Sequence, residues 1–236
     1  MKERRGSDPT TVENVCPSGQ VPVFPLPGVV FFPHIFLPLQ IFEPRYRIMV
    51  RDAIAGEGLI AVALLRPGWE ESYAGSPEFY EIGTIGRIED PEPLPDGRFH
   101  LRLVGLQRVA FGDVVRSNPY RVVRVQPRPE PAVDVAGPAF HSAKLDLLAS
   151  HGCLMRELTG RFESGTVLDE TIPFETAVNG ACANLPVEPA IRQSLLEEND
   201  LLGRHRRVAT LIDEILGRVL RLKALRSTDE GGAGLN

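Results

Sequence analysis

Cysteine is scarce in this chain. Cys16, Cys153 and Cys182 are the only three in 236 residues, and they stand far apart. An odd, scattered set makes no disulfide framework and contains no Cys-x-x-Cys metal pair. Long apolar runs are missing as well. A stretch such as 59–65 falls far below the roughly 18 residues a membrane-spanning helix needs. Basic charge is not in excess: 26 Lys and Arg face 31 Asp and Glu, for a formal net charge of −5. That removes the electrostatic footprint expected of a nucleic-acid or anionic-membrane binder. The opening MKERRGSDPTTVEN is basic, but no apolar stretch follows, so it is not read as a secretory signal. Residues 1–20 are expected to be a disordered lead-in, and the protein is expected to be soluble and cytoplasmic.

Catalytic signatures are missing too. There is no GxxxxGK[ST], indeed no Gly-Lys pair, so no P-loop cradles a phosphate. Gly83 and Gly86 lie inside a strand pattern, where glycines mark a bend or a close approach of backbone. No HExxH or GxSxG occurs. The histidines at 34, 100, 141, 151 and 205 are scattered. Cys153 is two residues from His151, but positions two apart on a helix point in different directions. The acidic cluster Glu89, Asp90, Glu92 and Asp96 flanks a hairpin and reads as a solvated turn. No catalytic group, cofactor or metal is expected.

What the chain does have is ordered. With 43% hydrophobic and 24% charged residues it can build a sizeable core. Candidate strands run at 21–24, 35–42, 59–65, 80–89, 98–111 and 120–126. Asp96-Gly97 supplies the pair that tolerates a hairpin's positive φ. Prolines at 22, 25, 27, 33 and 38 predict edge strands or bent ones. Residues 43–57 show helical spacing at Tyr46, Met49, Val50 and Ile54, with Pro44 in the first turn. A Pro-rich linker at 127–139 follows. Helices are then expected at about 140–160, 173–184, 188–198 and from Asn199 or Asp200 to about 225, with either residue as cap. In the last, positions 201, 208, 215, 222, 212 and 219 form one buried stripe, with Arg204 among the residues mostly off it. Residues 227–236 are expected to be a disordered tail. The fold class is α+β: a β-rich domain over 21–126 and a helical bundle over 140–226.

Two features stand above background. The block 21–42 holds five of the eleven phenylalanines, either as core or as an apolar groove for extended peptide. The segment 66–80 carries the only Trp, Trp69, with Tyr73 and Phe79, and loop aromatics are often contact residues.

VPVFPLPGVVFFPHIFLPLQIFEPRYRIMV resembles the opening of the Lon protease N-terminal domain, with its proline-bracketed apolar block leading into a helix. YEIGTIGRIEDPEPLPDGRFHLRLVGLQRVAF resembles the same family's Glu-[IV]-Gly-Thr strand, LPDG hairpin and return strand. The helical part, FETAVNGACANLPVEPAIRQSLLEENDLLGRHRRV, looks like the extension of stand-alone bacterial Lon-domain proteins. The resemblance implies a six-stranded PUA-like pseudo-β-barrel with a crossing helix, followed by a C-terminal α-helical bundle. EPRYR is itself read as structural: Arg45 and Arg47 can pair with carboxylates at the barrel rim while Tyr46 packs inward. The resemblance also implies a substrate-engaging domain; the family's ATPase phosphate loop and Ser-Lys peptidase segment are not found in this sequence, so no enzyme is expected.

The expected function is therefore a non-catalytic module that binds extended or unfolded polypeptide, or a partner protein, as in a proteolysis adaptor. Phe31, Phe32, Ile35 and Phe36 would line the peptide site, with Trp69 and Tyr73 at its mouth. An RNA-binding role by analogy with PUA domains is the alternative. Charge opposes it, since residues 21–127 hold eleven Lys/Arg and twelve Asp/Glu. A stand-alone peptidase lacks a nucleophile with its base. A homo-oligomer would arise if the long C-terminal helix paired between chains.

Overall fold

The computed structural model describes residues 15–72, 75–131, 133, 135, 137–159 and 171–232. Most of the lead-in, part of the Pro-rich linker and the last four residues lie outside these. The described chain forms two compact units, one of residues 1–130 with 187–199 and the other of 131–186 with 200–236.

The first unit is built on β1 (Gln20–Leu26), β2 (Phe36–Ile41), β3 (Leu59–Leu64), β4 (Ile82–Pro93), β5 (Phe99–Arg116) and β6 (Val122–Pro127). Helix α1 (Pro44–Ala55) lies between β2 and β3 in sequence. The strands order as β2-β5-β4-β3-β1-β6, and an additional β5–β6 pairing closes the sheet on itself. Closure follows from length. At 18 residues, β5 is long enough to pair with β2 at its start and with β6 at its end. The β4–β5 turn is the expected hairpin: Gly97 sits at φ +79° and donates its N–H to Leu94 O at 2.9 Å.

β1 is not an edge strand, and its prolines are accommodated by a change of partner. Residues 20–22 pair antiparallel with β6, and residues 23–26 run parallel to β3. β3 is buried along its whole length, which is why LIAVAL shows no alternation. Its residues Ile60 and Val62 join a core with Phe24, Tyr46, Met49, Val50 and Leu103, which covers the buried face of α1. Leu59, Ala61 and Ala63 point the other way, to Val21, Val23, Ile85 and Val109.

Helix α4 (Pro189–Glu197) also belongs to this unit, although its sequence neighbours are bundle helices. The reason is polar. Arg108 of β5 is 2% exposed, and its Nη1 donates to Leu196 O at 2.9 Å and Glu198 O at 2.8 Å. Its Nη2 reaches Asn199 Oδ1 and Glu130 Oε1, both at 3.2 Å. Gln193, also buried, donates to Ile82 O at 2.9 Å.

The second unit contains α2 (Pro138–Thr159), α3 (Phe174–Ala183) and α5 (Leu201–Gly232). Leu147 and Leu154 of α2, Ala177, Val178, Ala181 and Cys182 of α3, and Val208 and Ile212 of α5 are buried. Asp200 caps α5, its carboxylate accepting from the N–H groups of Leu202 and Gly203 at 3.1 and 3.0 Å. The stripe of α5 departs from expectation twice. Burial stops near Ile215, and Leu222 is exposed. Arg204, expected off the stripe, is fully buried and donates to Asn179 Oδ1 at 2.8 Å. The helix also continues to Gly232, past the expected start of a tail, because no proline follows Pro189 to break it. On α2, His151 is buried and Cys153 exposed. Among the described residues no helix is long and apolar enough to cross a membrane.

Candidate functional site

Three of the residues expected to line a peptide groove are core. Phe31, Phe32 and Ile35 are each no more than 5% exposed. Their segment is tied into the barrel by its own backbone. Thr84 Oγ1 donates to Phe31 O at 2.6 Å, His34 N to Gly105 O at 2.8 Å, and Gly105 N to Ile35 O at 3.0 Å. Two glycines make room for it. A Cβ on Gly86 would stand 2.8 Å from the Phe31 ring, and one on Gly105 would collide with Phe32 O. Side chains packed in this way present no surface to a ligand. Gly86 therefore answers the expectation of a close approach.

Phe36 is different. It opens β2, which pairs with β5 and lies at the end of the strand order, with its other edge unpaired among the described residues. Its ring is 47% exposed. Leu37 and Leu39 beside it are half-buried, and Pro38 between them is exposed. Trp69 begins a short 3₁₀ turn, Trp69–Ser72, and is half-buried. Tyr73 lies outside the described residues.

The outward surface beside this edge is polar and charged. Arg102, opposite Pro38, stacks its guanidinium 4.8 Å from the Phe36 ring centroid. It also binds Glu89 at 3.2 Å and Asp90 at 2.8 Å, across a register shift that follows Glu89 in β4. His100, opposite Gln40, lies 3.9 Å from Glu92. These pairs are well exposed and add little stability. They fix the orientation of Arg102, and with it one face of Phe36. Asp96, in the hairpin turn, has its carboxyl below the usual range because Arg98 donates to it through backbone and side chain.

Within EPRYR, Tyr46 packs inward and Arg45 pairs with Glu43 at 3.1 Å. Arg47 lies against Gly97, where an added Cβ would meet its Nη2, and its charge acts on the neighbouring Asp96 carboxylate. Sequence reasoning missed the surroundings of Arg45, where α1 faces Arg121 and the turn before β6. The signal available was EPRYR itself, two arginines bracketing an inward tyrosine.

The profile of the ATP-dependent protease La (LON) substrate-binding domain matches residues 20–214. The chain belongs to the LON substrate-binding domain family. The Lon protease of Heliobacterium modesticaldum is 25% identical over 218 residues, covering 87% of this chain and 25% of its own length. That of Anaeromyxobacter dehalogenans is 28% identical over 200 residues, covering 82% and 23%. The chain thus spans about a quarter of the length of the curated relatives it matches. Among solved structures, the N-terminal domain of Mycobacterium avium complex Lon protease superposes with a TM-score of 0.58 at 20% identity, over 82% of this chain and 98% of that one. The Lon N-terminal domain protein from Xanthomonas campestris gives 0.54 at 27% identity, over 81% and 97%. The LON domain fold is α+β, as the sequence indicated.

Proposed function

We propose that this protein is a non-catalytic polypeptide-binding module that takes an extended segment along β2, with Phe36 as the apolar contact. The observation that carries the reading is an open sheet edge beginning with a half-exposed phenylalanine whose ring is held by Arg102. An unpaired edge offers backbone hydrogen bonds to any extended chain, whatever its sequence, and flanking side chains supply selectivity. Pro38 interrupts that edge, since it has no N–H to give. The interruption suits transient capture, because a continuous edge would invite indefinite strand addition. Membership in a substrate-binding family supports the same reading. The finer role we propose is that of a proteolysis adaptor, presenting captured chains to a separate protease.

The test is fluorescence anisotropy at moderate salt with a labelled unfolded polypeptide and, separately, a labelled single-stranded RNA. Saturable polypeptide binding is expected, and Phe36→Asp should weaken it about ten-fold, the cost of one buried aromatic contact. Unchanged affinity in that variant would remove β2 from the site. Binding to RNA alone, falling steeply with salt, would replace this reading with a nucleic-acid one.

A further inference from the structure

A cavity of about 220 Å³ opens between the first turn of α1, residues 75–77 and the turn that joins β5 to β6. Tyr46 and Tyr120 wall it, Ser76 and Asn118 supply neutral polar groups, and Arg45 and Arg121 supply charge. Among the described residues no Asp or Glu lines it, in a chain where acidic residues outnumber basic ones. The larger cavity beside Tyr80, about 470 Å³, sets Arg66 and Arg128 among Glu81 and Glu197 and so carries both signs.

The two arginines differ. Arg45 is paired with Glu43 and lies over the Tyr46 ring at 4.7 Å. Arg121 donates from Nη1 to Pro77 O at 2.8 Å and stacks 4.4 Å from the Phe79 ring centroid. Neither contact is an anion, so among the described residues this half-buried cation has no ion-pair partner. Burial holds its pKa below the ordinary guanidinium range, and Arg45 adds to that against an opposing contribution from Tyr46. A guanidinium does not release its proton under these conditions, so what relieves it is a bound anion. Size narrows the choice. The cavity has room for about seven waters at roughly 30 Å³ each. That is below the roughly 300–1,000 Å³ of pockets for drug-sized ligands. It suits one terminal residue or one side chain, not a nucleotide.

We propose that this cavity binds a carboxylate of the captured polypeptide, its free C-terminus or an acidic side chain, with Arg121 as the ion-pair partner. The proposal rests on the polypeptide-binding reading above. It is tested with the full chain and four short peptides: one with a free C-terminal acid, the same peptide amidated, and the amidated peptide with an internal Glu or with Gln in its place. A carboxylate form should bind at least about ten-fold more tightly than its amide partner, the worth of a charge-assisted bond. The pair that shows the preference identifies the source. Arg121→Gln should abolish the preference, and so should Asn118→Asp, which adds a negative charge to the rim without touching the contacts of Arg121. Equal binding of all four peptides would overturn the carboxylate site and leave the polypeptide reading standing. N-acetylleucine, titrated with N-acetylleucinamide as control, separates the opposite failure. If it binds at Arg121 while no peptide or unfolded chain does, the cavity stands and polypeptide capture falls. Binding by none of these probes would overturn both.

Discussion

His151 shows what a single buried side chain can do to the bundle. It is 3% exposed, and its Nε2 meets no hydrogen-bond partner among the described residues. Burial pushes its pKa below the ordinary imidazole value, and burial does the same to His205 on α5. A folded-state pKa below the unfolded value of about 6.5 means that the unfolded chain takes up the proton first. Stability is therefore complete above about pH 6.5 and falls as pH drops from there towards the folded-state pKa. His151→Leu removes one of these two titrating groups and no hydrogen bond through Nε2, so it should reduce this dependence. Urea midpoints followed by circular dichroism at pH 7 and pH 5 measure it. If the variant loses as much stability as the parent on acidification, His151 is not the sensitive group.

Elements were legible where local pattern and tertiary packing agree. Short apolar runs bounded by turn residues located the six strands, and the pair Asn199 and Asp200 announced the start of α5, with Asp200 the one that caps it. Failures came where the sequence reports composition without direction. The phenylalanines of 21–42 share one hydrophobic character, yet Phe31 faces into the barrel and Phe36 out of it. Only the pairing of this segment with β4 and β5 decides which is which. Arg204 and Arg108 were hidden for a related reason, since a buried arginine looks like any other until its acceptors are placed. Glycines in β5 pose the same problem and give a sharp test. Gly105→Ala should cost about 1–3 kcal/mol, the usual penalty for overpacking, because the obstruction is the Phe32 carbonyl and cannot rotate away. Gly112→Ala in the same strand meets Arg124 O at an ordinary 3.6 Å and should be tolerated. Equal denaturation midpoints for the two variants would contradict this account of how the 31–35 segment is seated.

For the whole molecule, the notable feature is that the chain leaves the barrel unit at residue 130 and comes back to it for residues 187–199. That return gives Arg108 three of its acceptors, the carbonyls of Leu196 and Glu198 and the side chain of Asn199. A fragment ending at Glu130 should therefore unfold at a lower temperature than the full chain and expose apolar surface to a fluorescent dye. A synthetic peptide of residues 187–199, added in excess, should restore part of the loss. A fragment as stable as the intact barrel would show that the Arg108 bonds contribute nothing net, as some buried ion networks do.

The same arrangement matters while the protein is being made. Arg108 leaves the ribosome 91 residues before Asn199, which at roughly 5–20 residues per second is a wait of about five to twenty seconds. During that interval every strand of the barrel has been synthesised, but one of its buried cations lacks most of its acceptors. The nascent barrel can close early and still be incomplete, and its final setting is timed by the translation of a helix that lies far downstream.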